Sequence, residues 1–191
     1  MSALNKVLII GATGSLGKVV TSTALSRALD VTLFVRHKSR LGNSGNAKVI
    51  EGDATDLTAV EKAVRGQDVV YINLAGDLER MGRTIVKAMK NQGVKRVVAI
   101  SSIGIYDKPV PSILHPYRGL ADIIESSGLD YTILRPNWFT SSNEIDYILT
   151  PKGQPERGTS VSRKSIADFV VKIFENPNEY IGENLNIAKP N

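Results

Sequence analysis

The 191-residue chain contains no cysteine. That excludes disulfides, thiolate catalysis and zinc-finger sites, and it agrees with a reducing compartment, so a cytoplasmic protein is expected. There are only two histidines. His37 and His115 lie far apart with no third ligand or triad partner suggested, and no H-E-x-x-H spacing occurs, so no metal site is expected and both read as ordinary surface or loop residues. Aromatic residues are few at 6% and the basic residues are scattered. The formal charge of +5 therefore suits a phosphate-bearing ligand or general solubility better than nucleic acid. No segment approaches the ~18 to 20 continuous apolar residues of a membrane span. The opening "MSALNK" enters a short apolar strand without the longer apolar run of a signal peptide. No repeat or low-complexity tract is found.

What is present alternates. Short runs rich in Val and Ile at 6–10, 31–35, 48–50, 68–74, 94–100, 130–134 and 184–187 read as strands. Between them, 15–28, 57–65, 79–92, 117–127 and 163–175 carry apolar residues at i, i+3, i+4 spacing. In the last of these, Ile166, Phe169, Val170, Ile173 and Phe174 form one core-facing stripe. The pattern predicts repeated βαβ units, hence an α/β class fold: a single domain over 1–191 with a doubly wound, mostly parallel sheet of six or seven strands. The stretch 140–160 has two prolines and no clear period, and reads as a loop or small lid.

The stretch "VLIIGATGSLGKVV", Val7 to Val20, runs a strand into three glycines and then a helix. Gly11 and Gly14 allow close backbone approach of a pyrophosphate to the amides of a helix N-terminus, and Gly17 lets that helix lie near the sheet. A plain turn explains one glycine but not three at this spacing. The end of the second strand offers "FVRHKSR", where an NAD site offers an acid that binds the ribose hydroxyls. Arg36 ends the strand with His37, Lys38 and Arg40 behind it, no acid is expected in reach, and a guanidinium suits a 2′-phosphate. NADP(H) is expected over NAD(H). Lys38 and Arg40 read equally well as a solvated loop. "EGDATD" puts Asp53 and Ala54 at the third strand's carboxyl end, and "NLAG" and "ISSIGIYD" follow the fourth and fifth strands, where ligands gather in such sheets.

Taken in order, "GATGSLGKVV", "VTLFVRHKSRL", "VIEGDATD", "AVRGQDVVYINLAG", "AMKNQGVKRVVAISS", "ESSGLDYTILRP" and "SVSRKSIADFVVKIFENP" resemble the atypical short-chain dehydrogenase/reductase superfamily. The branch is the NAD(P)H-binding one that includes NmrA-like proteins and the flavin reductase/biliverdin-IXβ reductase family. The resemblance implies a Rossmann fold with NADPH held by Gly11, Ala12, Thr13, Gly14, Ser15, Leu16 and Arg36. It also implies Asp53 and Ala54 near the adenine, Leu74, Ala75 and Gly76 beside the adenosine half, and Ser101 and Ser102 facing the nicotinamide. The wider superfamily's Tyr-x-x-x-Lys pair is missing: aligned with the family's usual run, Leu114 stands at the tyrosine position and Arg118 at the lysine position. Alcohol dehydrogenation by that route is thereby disfavoured, whereas hydride transfer to a planar acceptor with a solvent proton is still possible.

Ser102 and Tyr106 are the candidate catalytic residues. Ser102 would orient the nicotinamide or acceptor, or else simply cap a strand end; Tyr106 would line the acceptor site, or lie on the surface. In "RPNWFT", Asn137, Trp138 and Phe139 would receive a flat substrate, or the two aromatics would be core. The expected function is an NADPH-dependent oxidoreductase reducing a flavin, quinone or similar planar acceptor. The alternatives are a non-catalytic NADP(H) sensor of the NmrA kind and, less favoured, a sugar-nucleotide epimerase. The expected partner is that small molecule, with no nucleic acid or membrane, and the chain is expected to be a monomer or weak homo-oligomer.

Overall fold

Val7, Leu8, Ile9 and Ile10 are all buried, although alternate residues of a strand point to opposite faces. Such a run requires cover on both sides of the sheet. The computed structural model, which describes residues 5–190, supplies that cover. The strands are β1 (Lys6–Ile10), β2 (Asp30–Val35), β3 (Lys48–Glu51), β4 (Val69–Ile72), β5 (Arg96–Ile100), β6 (Asp130–Pro136), β7 (Trp138–Thr140), β8 (Ile148–Pro151), β9 (Ser160–Ser162) and β10 (Glu183–Ala188). The central sheet has the order β3-β2-β1-β4-β5-β6-β10-β8, parallel except where β8 runs against β10. The helices α1 (Ser15–Ser26) and α5 (Arg163–Glu175) cover one face. The other is covered by α2 (Leu57–Val64), α3 (Leu78–Gln92) and α4 (His115–Glu125). The chain reverses direction across the sheet between β1 and β4, which opens a crevice at the carboxyl ends of the strands.

The sheet has eight strands, one more than the upper expectation. The added strand, β8, comes from the 140–160 stretch expected to be a loop. It is four residues long, ends in Pro151, and takes its register from Ile148 opposite Ala188 and Leu149 opposite Ile187. A proline is tolerated there because β8 is an edge strand. The same excursion is closed by a short parallel pairing of Trp138–Thr140 with Ser160–Ser162. Both pairings are long-range, and no local period announces them.

Two buried arginines tie the sheet together. Arg96 donates to the carbonyls of Val97, Asp130 and Glu179 and to the Thr132 hydroxyl, at 2.7 to 3.1 Å. Burial lowers its pKa to about 10, so it stays charged at neutral pH. Arg135, 2% exposed, donates to Asn184 Oδ1 at 2.8 Å and pairs with Glu156. Asn186 donates to the Arg135 carbonyl and accepts from the Arg157 amide, which pins the 156–158 turn over β10.

Candidate functional site

The glycine turn between β1 and α1 is set by sterics. Gly11 has φ +102°, and a Cβ there would stand 1.9 Å from the Asn73 carbonyl oxygen. A Cβ at Gly17 would meet the Gly11 carbonyl oxygen at 2.2 Å. The first turn of α1 therefore lies directly against the end of β1. Side chains cap three of the other helices: Asp56 accepts from Thr58 and Ala59, Asp77 from Arg80, and Ser162 from Ser165. Gly14 heads α1 and offers no side-chain cap, and no acid lies in the first turn. The amide end of α1 is left for an anion.

Beside the turn, a cleft is walled by Ile10, Gly11, Thr13, Phe34, Val35, Arg36, His37, Arg40, Gly52, Ala54, Leu74 and Met81. Five expected cofactor residues meet in it: Gly11, Thr13, Arg36, Ala54 and Leu74. His37, expected to be ordinary surface, is exposed but also forms part of this wall, as does Arg40. Phe34 and Met81 were not singled out, because they read as strand and helix core, whereas Gly52 lies in the "EGDATD" stretch after the third strand. Acids do reach the end of β2, contrary to the expectation drawn from "FVRHKSR". Asp53 Oδ2 lies 3.8 Å from Arg36 Nε, and Glu51 accepts from the Lys38 amide at 3.0 Å. They come from β3 and the turn after it, which the parallel pairing of β2 with β3 brings alongside. The Thr55 amide and hydroxyl, and then Arg36, hold the Asp53 carboxyl below its ordinary range, so it is an anion. Ala75 and Gly76 follow β4 at the same edge, Gly76 with φ +102° and open space around it.

At the end of β5, Ser101 is buried and donates to the Tyr117 carbonyl at 3.1 Å, which fixes α4 against the strand. Ser102 is half-buried and donates to the Ile103 carbonyl at 3.0 Å. Tyr106 turns away from that edge. Its hydroxyl accepts from Asn184 Nδ2 at 2.8 Å and donates to Glu125 Oε1 at 3.4 Å. Glu125 ends α4 and Asn184 pairs in register with Ile133, so the phenol points down the sheet. Burial pushes its pKa up, and Arg118, Lys152 and Arg135 stand over its ring at 4.7, 4.6 and 5.3 Å. Leu114 packs on the α2–α3–α4 core, and Arg118 pairs with Asp122 at 2.8 Å.

After β6, Asn137 is buried and donates to the carbonyls of Arg157 and Gly158 at 3.1 and 2.7 Å, closing the excursion. Trp138 is 83% exposed and Phe139 37%. Neither aromatic is core. Arg163, at the start of α5, lies over the Phe139 ring and reaches Ser15 in the first turn of α1. No sequence pattern pointed to Arg163, because its partners lie in two distant segments, at Ser15 and at 139–141. Among the described residues no cluster of His, Asp or Glu could hold a metal ion, and no helix is long and apolar enough to cross a membrane.

Comparison with known proteins agrees with this geometry. A Rossmann-fold NAD(P)-binding family protein from Shigella flexneri superposes with TM-score 0.90 at 40% identity, covering 98% of this chain and 95% of that one. A short-chain dehydrogenase/reductase from Veillonella parvula, solved in complex with NADP, has the same fold at TM-score 0.85 and 24% identity, over 98% and 96% of the two chains. Among curated proteins, an isoflavone reductase homologue from Nicotiana tabacum is 26% identical over 93% of this chain and 66% of its own length. The chain spans about half to two thirds of the length of such curated relatives. The model of the NAD(P)H-binding family matches residues 11–177, and the chain belongs to that family.

Proposed function

We propose that the chain, as one domain, is an NADPH-dependent reductase passing hydride to a flat, electron-poor acceptor such as a flavin or quinone. The observation that carries this reading is the exposed pair Trp138 and Phe139 immediately beyond β6, on the edge of the sheet where the glycine turn also lies. Exposed indole and phenyl faces offer a stacking platform for a planar ring, and the curated relatives include an enzyme homologue named for a flat isoflavone. Bound NADPH supplies a hydride; with one proton from solvent, the acceptor gains two electrons and NADP+ is released. The glycine turn and the amide end of α1 hold the pyrophosphate, Arg36 the 2′-phosphate, and Ala54, Leu74, Ala75 and Gly76 the adenosine half. Ser102 orients the nicotinamide. Tyr106 would act at most indirectly, since its hydroxyl is already held by Asn184 and Glu125.

The sensor reading is favoured by one observation. On the alignment the resemblance implies, Leu114, packed against the core, and Arg118, paired with Asp122, stand where a tyrosine–lysine pair would move a proton; the same reading disfavours an epimerase. Anaerobic mixing of the protein and NADPH with FMN, a quinone and a tetrapyrrole in turn separates the two. Oxidation of NADPH by one acceptor class is expected; tight binding with no oxidation by any would favour the sensor.

Arg36 also gives a test of cofactor choice. Its charge-assisted bonds to a 2′-phosphate are worth about 1.5–2 kcal/mol at this exposed position, so Arg36→Ala should weaken NADPH binding about tenfold or more. NADH binding should change by less than about twofold, because it lacks that phosphate. An equal loss for both cofactors in calorimetric titration would remove Arg36 from this role.

A further inference from the structure

Arg163 is the first residue of α5, yet it reaches into two other segments. Its Nε donates to Ser15 Oγ at 3.2 Å, on the first residue of α1. Its Nη1 donates to the Thr140 carbonyl at 3.0 Å and to Ser141 Oγ at 3.2 Å. The guanidinium carbon lies 5.4 Å from the centre of the Phe139 ring. All these partners are neutral. Among the described residues no carboxylate pairs with Arg163, and neither α1 nor α5 has an acid in its first turn.

The position is not explained by stability. A cation at the first residue of a helix opposes the helix dipole. Here it is followed by Lys164, two helix starts and a guanidinium converge, and no acid lies in the first turn of either helix. A planar guanidinium is suited to phosphate oxygens, which it binds through paired N–H groups. Its hold on residues 139–141 meanwhile links the site to the segment that bears Trp138.

We propose that Arg163 is a ligand of the dinucleotide's pyrophosphate, and that the same guanidinium ties segment 138–141 down over the nicotinamide end when the dinucleotide is bound. This rests on the reading above, in which the dinucleotide lies along the Gly11–Gly17 turn. The phosphate takes the place of the Ser15 hydroxyl as the acceptor for Nε, while Nη1 keeps the Thr140 carbonyl. Cofactor binding then sets the position of the aromatic platform, so the acceptor is received in order after NADPH. Arg163 thereby positions the acceptor as well as binding the cofactor.

The test is calorimetric titration of the wild-type chain, Arg163→Ala and Arg163→Lys with NADPH, NADH and 2′-AMP, alongside the fluorescence of Trp138, the only tryptophan. Loss of a charge-assisted bond should weaken NADPH and NADH alike, each about tenfold in the alanine variant, since the pyrophosphate is common to both. The lysine variant should recover part of that loss. Binding of 2′-AMP, which has no 5′-phosphate and so no part of the pyrophosphate, should be unchanged. The fluorescence change on saturation with NADPH should shrink in the alanine variant. Unchanged affinity for both dinucleotides, or an equal loss for 2′-AMP, would overturn the assignment while leaving the reductase reading intact. A wild-type chain that bound no dinucleotide would sink both.

Discussion

Gly11→Ala is expected to abolish measurable NADPH binding and to lower stability by about 2–5 kcal/mol, adding backbone strain to overpacking. The residue has φ +102°, where an L side chain is strained, and its methyl would stand 1.9 Å from the Asn73 carbonyl oxygen and 2.8 Å from the carbonyl carbon. Both obstacles are backbone, and the Asn73 amide itself donates to the Ile10 carbonyl at 3.0 Å. No side chain can swing aside, so β1 and the end of β4 must separate. The shift would reach the helix as well, because Gly14 donates to the Gly11 carbonyl at 3.2 Å. A thermal melt and an NADPH titration check this together. Wild-type behaviour in both would mean that the turn is more plastic than its geometry shows.

The second large effect is structural. Arg96→Ala is expected to cost about 3–5 kcal/mol, because it leaves several buried neutral acceptors unsatisfied at about 1–3 kcal/mol each. The four acceptors it serves lie on β5, β6 and the 179 turn, so its removal leaves carbonyls in an enclosed space that water fills poorly. For a chain of this size the melting temperature should fall by about 10 °C. Arg96→Lys should recover little, since an ammonium cannot span both the Asp130 and Glu179 carbonyls as the fork does. A fall of a degree or two in calorimetry would show that the network relaxes around the gap. NADPH affinity per folded molecule should be unchanged, because Arg96 sits at the amino end of β5, away from the cleft.

The parallel core was legible wherever local pattern and tertiary environment agree. Both faces of β1, β4 and β5 are buried, so they read as unbroken apolar runs, and the stripe Ile166, Phe169, Val170, Ile173 and Phe174 shows directly which face of α5 meets the sheet. The glycine turn was legible because its constraints are close in sequence. What depended on distant pairing was not. β8 exists only through its register with β10. Asp53 comes near Arg36 through β2–β3 pairing, so an acid reaches Arg36 although none stands in the motif itself. The direction of Tyr106 follows from a bond to Asn184, 78 positions away, and Arg163 acquires its place from Ser15 at a separation of 148. Trp138 and Phe139 could be weighed as core or platform from composition alone, and only their exposure decides that they are not core.

The Arg36–Asp53 contact bears on cofactor choice. At 3.8 Å and well exposed on both sides, the pair is loose, and such pairs contribute about 0–1 kcal/mol. Arg36 is therefore free to turn toward a 2′-phosphate at little cost. The carboxylate of Asp53 would hold the guanidinium near the cleft in the meantime.

The proposed reaction is hydride transfer from bound NADPH to an acceptor seated at the β5 and β6 ends. Its most direct test is an anaerobic single turnover with saturating acceptor, using NADPH deuterated at one or the other C4 position. One stereoisomer should be oxidised more slowly than unlabelled NADPH and the other at the same rate, because a fixed acceptor platform meets one face of the ring. NADPH that binds tightly but is not oxidised by any flavin, quinone or tetrapyrrole, or that is oxidised at the same rate whichever position is labelled, would contradict it.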